Sequence, residues 1–87
     1  MAINFPNIET IDVRRMVVSF PAEQDNNRII CEISFEALQD NFGGNNIQPF
    51  DCFKANRHAI EEKAERLITQ GRFEHDDSIL IRSQDGG

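Results

Sequence analysis

Apolar residues recur at helical spacing over residues 49–70, the longest periodic stretch of the chain. A projection at 100° per residue places six of them within one arc about 120° wide. They are Phe50, Phe53, Ile60, Ala64, Leu67 and Ile68. Pro49 suits the first turn of a helix, and Gly71 suits the left-handed residue that ends one. The pattern predicts one amphipathic helix about 33 Å long, whose overhang beyond a short strand could form an interface.

Alternation of apolar and polar residues predicts strands in the first half of the chain. Residues 2–5 suit a short strand that ends at Pro6. Residues 15–20 form a second strand, which Pro21 ends. This alternation places Met16, Val18 and Phe20 on one face of that strand.

A hairpin is predicted to follow, since residues 23–27 are polar turn formers and residues 28–33 resume the alternation. The core-facing positions would be Ile29, Cys31, Ile33 and Phe35. Ile30 and Glu32 would face the other side. Cys31 is then a small buried apolar residue.

The remaining segments complete the predicted order. Ser34 can cap a short helix that Gly43 and Gly44 end, and residues 78–83 form a last strand after a polar turn. Residues 84–87 are predicted to form a flexible tail. Residues 8–15 fit either a helical turn or a lead into a strand. The order β-β-β-α-α-β predicts a single α+β domain over residues 1–87, with an antiparallel sheet of three or four strands packed by one long and one short helix.

Composition narrows the classes of function. The chain has 87 residues, 9 Lys and Arg against 15 Asp and Glu, and a net charge of -6, which disfavours nucleic acid as a partner. We find neither a membrane span nor a signal peptide, so we expect a cytoplasmic protein that does not bind membranes.

Two cysteines in a reducing compartment predict two free thiols. A core this small would gain stability from forming a homodimer.

Several motifs together resemble a known family. They are the opening FP, the VVSF strand, the CEISFEALQDNFGG block, the FKANRHAIEEKAERLI helix and the closing SILIRSQD. In this order and spacing, over nearly the whole chain, they resemble a short bacterial family of uncharacterised proteins, the domain of unknown function fourteen-eighty-eight. The resemblance implies a bacterial cytoplasmic protein with a compact α+β fold. It supplies no catalytic residues and no cofactor.

Arg57 is the residue that a plain core would not need, because it lies about 40° from the centre of the apolar arc. One hypothesis is structural: its stem packs and its head reaches a carboxylate such as Glu61 or Glu32. The other is functional: Arg57 and Asn56 line a small polar pocket that binds an anionic ligand. The second hypothesis would make the protein a ligand-binding protein or an enzyme.

His58 and Glu62 are a further candidate pair, spaced i,i+4 on the outer helical face, where two side chains can share a metal ion. Two ligands do not make a metal site, and a solvated face explains them. For nucleophilic catalysis, Cys52 and His58 lie about 120° apart around the helix and should not meet. We therefore predict no catalytic residues, no metal and no cofactor.

The C-terminal Gly86 and Gly87 raise a separate alternative. They resemble the tail of ubiquitin-like and sulfur-carrier proteins, whose terminal carboxylate is adenylated. One clear strand after a long helix departs from the strand order of that fold. The interpretation that the sequence favours is a non-enzymatic accessory or protein-interaction module, with an unknown protein partner or self-association as its contact.

Overall fold

The computed structural model describes residues 3–43 and 48–85 and shows an α+β domain, which confirms the predicted fold class. The strands are β1 (Thr10–Asp12), β2 (Val17–Gln24), β3 (Asn27–Ser34) and β4 (Ile79–Ile81). The helices are α1 (Phe35–Asn41), α2 (Pro49–Ala55) and α3 (Arg57–Thr69). Among the described residues, no helix is long and apolar enough to cross a membrane.

The four strands form one mixed sheet in the order β1-β2-β3-β4. The pairs β1–β2 and β2–β3 are antiparallel, as predicted, but β4 runs parallel to β3, with Cys31 opposite Ile79 and Ile33 opposite Ile81. The expectation of a fully antiparallel sheet is therefore wrong at its last strand. The helices between β3 and β4 return the chain to the end at which β3 begins, as a parallel connection requires.

The second strand continues through Pro21, which was wrongly predicted to end it. Glu23 exchanges both backbone hydrogen bonds with Asn4, so alternate residues of β2 direct their backbone groups towards this edge. Pro21 has the same orientation, and it lies between the residues paired with β1 and the isolated bridge of Asn4 to Glu23. The missing N–H of Pro21 therefore costs the sheet no hydrogen bond.

The start of the chain differs from the prediction. A bridge at Asn4 takes the place of a strand over residues 2–5, and residues 1–2 lie outside the described residues. The segment over residues 8–15 that fitted two interpretations contains β1. Met16 precedes β2 with a φ of 57° and is exposed, so its expected place on the core face is wrong.

The hairpin between β2 and β3 turns where it was predicted. Asp25 and Asn26 are its two central residues, and both have positive φ, at 54° and 68°. A type I′ turn requires this geometry, and its twist matches that of the flanking strands. The turn places Cys31 and Ile33 in the core, while Ile30 is exposed on the other face, as the alternation predicted.

The single helix predicted over residues 49–70 is two helices, interrupted at Asn56, whose φ is -115° and ψ 17°. The side chain of Asn56 donates to the carbonyl of Cys52 at 2.9 Å, in competition with the helical backbone. The prediction of one continuous helix is therefore wrong. Pro49 begins α2 as expected, and Gly71, with φ of 70°, follows the end of α3.

The predicted short helix α1 is capped by the Ser34 hydroxyl, which accepts a hydrogen bond from the amide of Ala37 at 3.0 Å. Gly43 follows it with φ of 70°, and Gly44 lies outside the described residues. After β4, Ser83–Asp85 form a 3-10 turn. Gly86 and Gly87 also lie outside the described residues.

The core lies between one face of the sheet and the helices. The Phe20 ring of β2 contacts the Phe53 ring of α2, with centroids 5.2 Å apart. Five of the six residues of the predicted helical stripe are buried, and Phe50 packs at the margin of the core. The helical periodicity therefore identified the correct face despite the break at Asn56.

The turn geometry predicts opposite effects for two neighbouring substitutions. Asn26→Gly should raise the free energy of unfolding by about 0.5–1 kcal/mol, because glycine adopts positive φ without strain. Asn27→Gly, one residue later in β3, should lower it by a similar amount, because glycine weakens a strand. Urea unfolding of both variants measures the two changes. A destabilising Asn26→Gly would contradict the type I′ geometry.

Candidate functional site

Arg57 lies at the start of α3 with its guanidinium 5.3 Å from the centre of the Phe53 ring. Its side chain is 18% exposed. The Nε atom donates to Oε2 of Glu61, one helical turn later, at 2.8 Å. The pairing of Arg57 with Glu61 that the structural hypothesis expected is therefore present.

The other end of the guanidinium binds the segment that precedes β1. Nη1 donates to the carboxylate of Glu9, and Nη2 donates to the carbonyls of Pro6 at 2.9 Å and Ile8 at 3.4 Å. With the bond to Glu61, these contacts use four of the five N–H groups of an arginine. Arg57 thus anchors the chain before β1 to the helical layer.

Asn56 faces a different part of the molecule. Its Nδ2 atom donates to the carbonyls of Cys52 at 2.9 Å and Phe42 at 3.4 Å, which connects α2 to the end of α1. Asn56 and Arg57 are adjacent in sequence, but their side chains have no partner in common among these contacts. Ligand binding by the two residues stays a prediction.

His58 and Glu62 lie on the exposed face of α3, with Nε2 and Oε2 3.8 Å apart. They line a shallow depression with Glu65, Arg66, Thr69 and Gln70. Within residues 3–43 and 48–85, no three His, Cys, Asp or Glu side chains lie where they could hold a metal ion.

Glu32, the other carboxylate considered for Arg57, is paired with Arg15. The two guanidinium Nη atoms donate to the two carboxylate oxygens at 2.6 and 2.7 Å. Glu32 is buried on the face of the sheet opposite the helices, whereas Arg15 is exposed. The hydrogen bond and the charge of Glu32 raise the pKa of Arg15. In the sequence, the glutamate at position 32 stands among the apolar residues of β3, and this position indicated that Glu32 would need a basic partner.

Both cysteines are free and fully buried. Burial raises the pKa of Cys31 to about 12, and burial raises that of Cys52 despite a hydrogen bond from Asn56. The Cys52 thiol lies 3.5 Å from the carbonyl oxygen of Phe42. Because α1 covers this side of α2, Cys52 is buried although it lies about 100° from the apolar stripe. The His58 side chain, by contrast, is exposed.

The sequence interpretation missed one surface, which we name the apolar edge and define as residues 8–16. Six large apolar side chains are exposed among the described residues, and four of them lie here. They are Ile8 at 51%, Ile11 at 38%, Val13 at 68% and Met16 at 58% exposure. The available signal was a set of apolar residues spaced irregularly among charged ones, without clear strand or helix periodicity.

The chain belongs to the family described as Protein of unknown function (DUF1488), whose model matches residues 3–81. It is 36% identical over 70 residues to Uncharacterized protein YrdB of Escherichia coli (strain K12), covering 79% of this chain and 82% of the relative. The YrdB protein of Shigella flexneri is 34% identical over the same length and coverage.

A crystal structure of a protein of unknown function from the same family, from Shewanella loihica PV-4, is 30% identical to this chain. It superposes with a TM-score of 0.82 and covers 91% of this chain and 90% of that chain. These relatives confirm the predicted family and its bacterial character, and their descriptions assign no activity.

The contacts of Arg57 predict a structural cost for its removal. Arg57→Ala should lower the free energy of unfolding by about 2–4 kcal/mol, because Glu9, Glu61 and two carbonyls lose their donor. Arg57→Lys should recover only part, since an ammonium lacks the planar fork. Urea unfolding provides the measurement.

Arg66→Ala, at an exposed position of the same helix, is the matched control, with an expected change below about 0.5 kcal/mol. Equal stability of the Arg57 and Arg66 variants would contradict the anchoring role.

Burial of both thiols predicts slow chemical modification. The native protein at pH 8 should react with an aromatic disulfide reagent far more slowly than the same protein in denaturant, because the thiolate is the reactive form and both sulfurs are inaccessible. Absorbance of the released thiol measures the rate. Rapid labelling of Cys52 in the native state would restore it as a candidate nucleophile.

Proposed function

We propose that this protein is a non-enzymatic interaction module that binds a polypeptide along the apolar edge, residues 8–16. The observation that carries the proposal is the concentration of exposed apolar side chains in this one segment. Single apolar residues are common on protein surfaces, whereas a group of them at one site is typical of a binding surface.

The position of the apolar edge in the sheet supports the proposal. β1 is the first strand in the sheet order, so one of its sides has no neighbouring strand among the described residues. A strand at such an edge retains backbone N–H and C=O groups that can pair with another chain. Apolar side chains and available backbone groups therefore occur on the same segment.

The polar residues favour an interaction module over an enzyme or a ligand-binding protein. The N–H groups of Arg57 donate hydrogen bonds to Glu9, Glu61 and backbone carbonyls. Arg15 is likewise paired with Glu32. Both thiols are buried with raised pKa values. These two arginines and two cysteines are therefore engaged within the fold, which leaves them unavailable for catalysis or for binding a ligand.

Two matched double variants test the proposal. Val13→Lys with Met16→Lys places two charges on the apolar edge, while Ile30→Lys with Phe73→Lys changes the other two exposed large apolar residues and adds the same charge. Each is immobilised and exposed to an extract of the source cells together with a differently tagged copy of the chain. We expect the edge variant to retain a bound polypeptide about tenfold less well than the wild type, a loss of about 1.4 kcal/mol.

The control variant should retain the polypeptide as the wild type does, because its substitutions lie outside residues 8–16. Far-UV circular dichroism and urea unfolding verify that both variants are folded. Equal retention by the edge and control variants, or no retained polypeptide for any of them even with the tagged copy at about 1 mM, would overturn the proposal.

A further inference from the structure

The backbone of Ile11 faces the free side of β1. Glu23 exchanges both hydrogen bonds with Asn4, at 2.7 and 2.9 Å, so the alternate residue Ser19 also directs its backbone groups towards this edge, to its partner Thr10. Ile11 follows Thr10 and has the opposite orientation. Its N–H and C=O groups point away from the sheet, where another strand can reach them.

We infer that the polypeptide bound by the apolar edge is a second copy of this chain, paired antiparallel about a two-fold axis at Ile11; this inference rests on the proposed function. In that arrangement the two Ile11 residues exchange both backbone hydrogen bonds. Thr10 of each copy lies opposite Asp12 of the other. A two-fold contact requires one surface to complement itself, and this short segment does so.

The charges of the apolar edge favour the same arrangement. Residues 8–16 contain two acids, Glu9 and Asp12, followed by two bases, Arg14 and Arg15, so the segment is neutral in a chain of net charge -6. Within each chain Glu9 is already paired with Arg57 and Arg15 with Glu32, so Asp12 and Arg14 are the charges left at the contact, and they balance one another. Two copies can meet here without the repulsion that their overall charge imposes elsewhere.

The paired length is short, which sets the expected strength. β1 has three residues, and the segment between Asn4 and Thr10 interrupts the edge opposite Pro21. An interrupted edge limits strand pairing, and a small interface gives weak, concentration-dependent association. Val13 and Met16, the two most exposed large apolar side chains of the edge, lie in the turn that follows β1 and add apolar contacts beside the backbone pairing.

Sedimentation equilibrium of the purified protein tests the inference. From about 10 µM to about 1 mM, the average mass of the wild type should rise from the 10.0 kDa of one chain towards twice that value. Val13→Lys with Met16→Lys should shift the midpoint of this rise at least about tenfold higher in concentration. Ile30→Lys with Phe73→Lys should leave it unchanged.

Cysteine crosslinking tests the position of the axis. Only residue 11 lies opposite its own copy, so mild oxidation of Ile11→Cys should give a covalent dimer. Val13→Cys is the matched control, because its two copies would be about 14 Å apart, too far for a disulfide. The native thiols are buried and should not contribute. We expect at least about tenfold faster dimer formation for Ile11→Cys, followed on non-reducing gels.

The outcomes separate this inference from the proposed function. A monomer at every concentration, or association without faster crosslinking at residue 11, overturns the two-fold dimer. If the captured polypeptide still depends on residues 8–16 in that case, the proposed function stands with another protein as partner. Capture that does not depend on residues 8–16 overturns the proposed function itself.

Discussion

The contact between the Phe20 and Phe53 rings is the interaction on which the rest of the molecule depends. It joins the second strand of the sheet to α2, and both rings are fully buried. The Arg57 guanidinium lies 5.3 Å from the centre of the Phe53 ring and binds Glu9 and the carbonyls of Pro6 and Ile8. Core packing thus positions Arg57, and the hydrogen bonds of Arg57 fix the segment that leads into β1. Through this chain of contacts, packing between the layers positions the apolar edge.

Several polar side chains stabilise this fold through hydrogen bonds to other parts of the protein. Asn56 connects α2 to α1, and Arg15 neutralises a carboxylate buried on the uncovered face of the sheet. Truncating one member of such a pair is costly because the partner is left without its hydrogen bonds. A site for chemistry or ligand binding usually keeps some polar groups directed at a cavity. Arg15, Asn56 and Arg57 are instead directed at other parts of the protein.

The apolar edge has the opposite character. Its side chains contribute little to the core, yet the surrounding contacts of Glu9 and Asp12 hold its backbone in place. A preformed backbone reduces the conformational entropy that a partner must overcome on binding. Arg57 thus helps to hold β1 in place as a short, ordered strand at the edge of the sheet.

Local patterns in the sequence determined much of this fold. Alternation located β2 and β3, polar residues located the hairpin turn, and Ser34, Pro49 and Gly71 marked helix ends, because each depends on neighbouring residues alone. The helical stripe also identified the buried face of α2 and α3. The pairing of Arg57 with Glu61 was predictable for the same reason, since i,i+4 spacing places them on one side of a helix.

Tertiary structure decided what local patterns left open. Pro21 fits inside a strand only because the neighbouring edge is interrupted there, and the break at Asn56 lies where its amide also reaches the carbonyl of Phe42 at the end of α1. The direction of β4 depends on how the helices return the chain. The bond from Arg57 to Glu9 spans 48 residues, and the exposure of residues 8–16 follows from β1 becoming the outer strand. Each of these depends on segments distant in sequence, so the spacing of residues along the chain carries no signal for it.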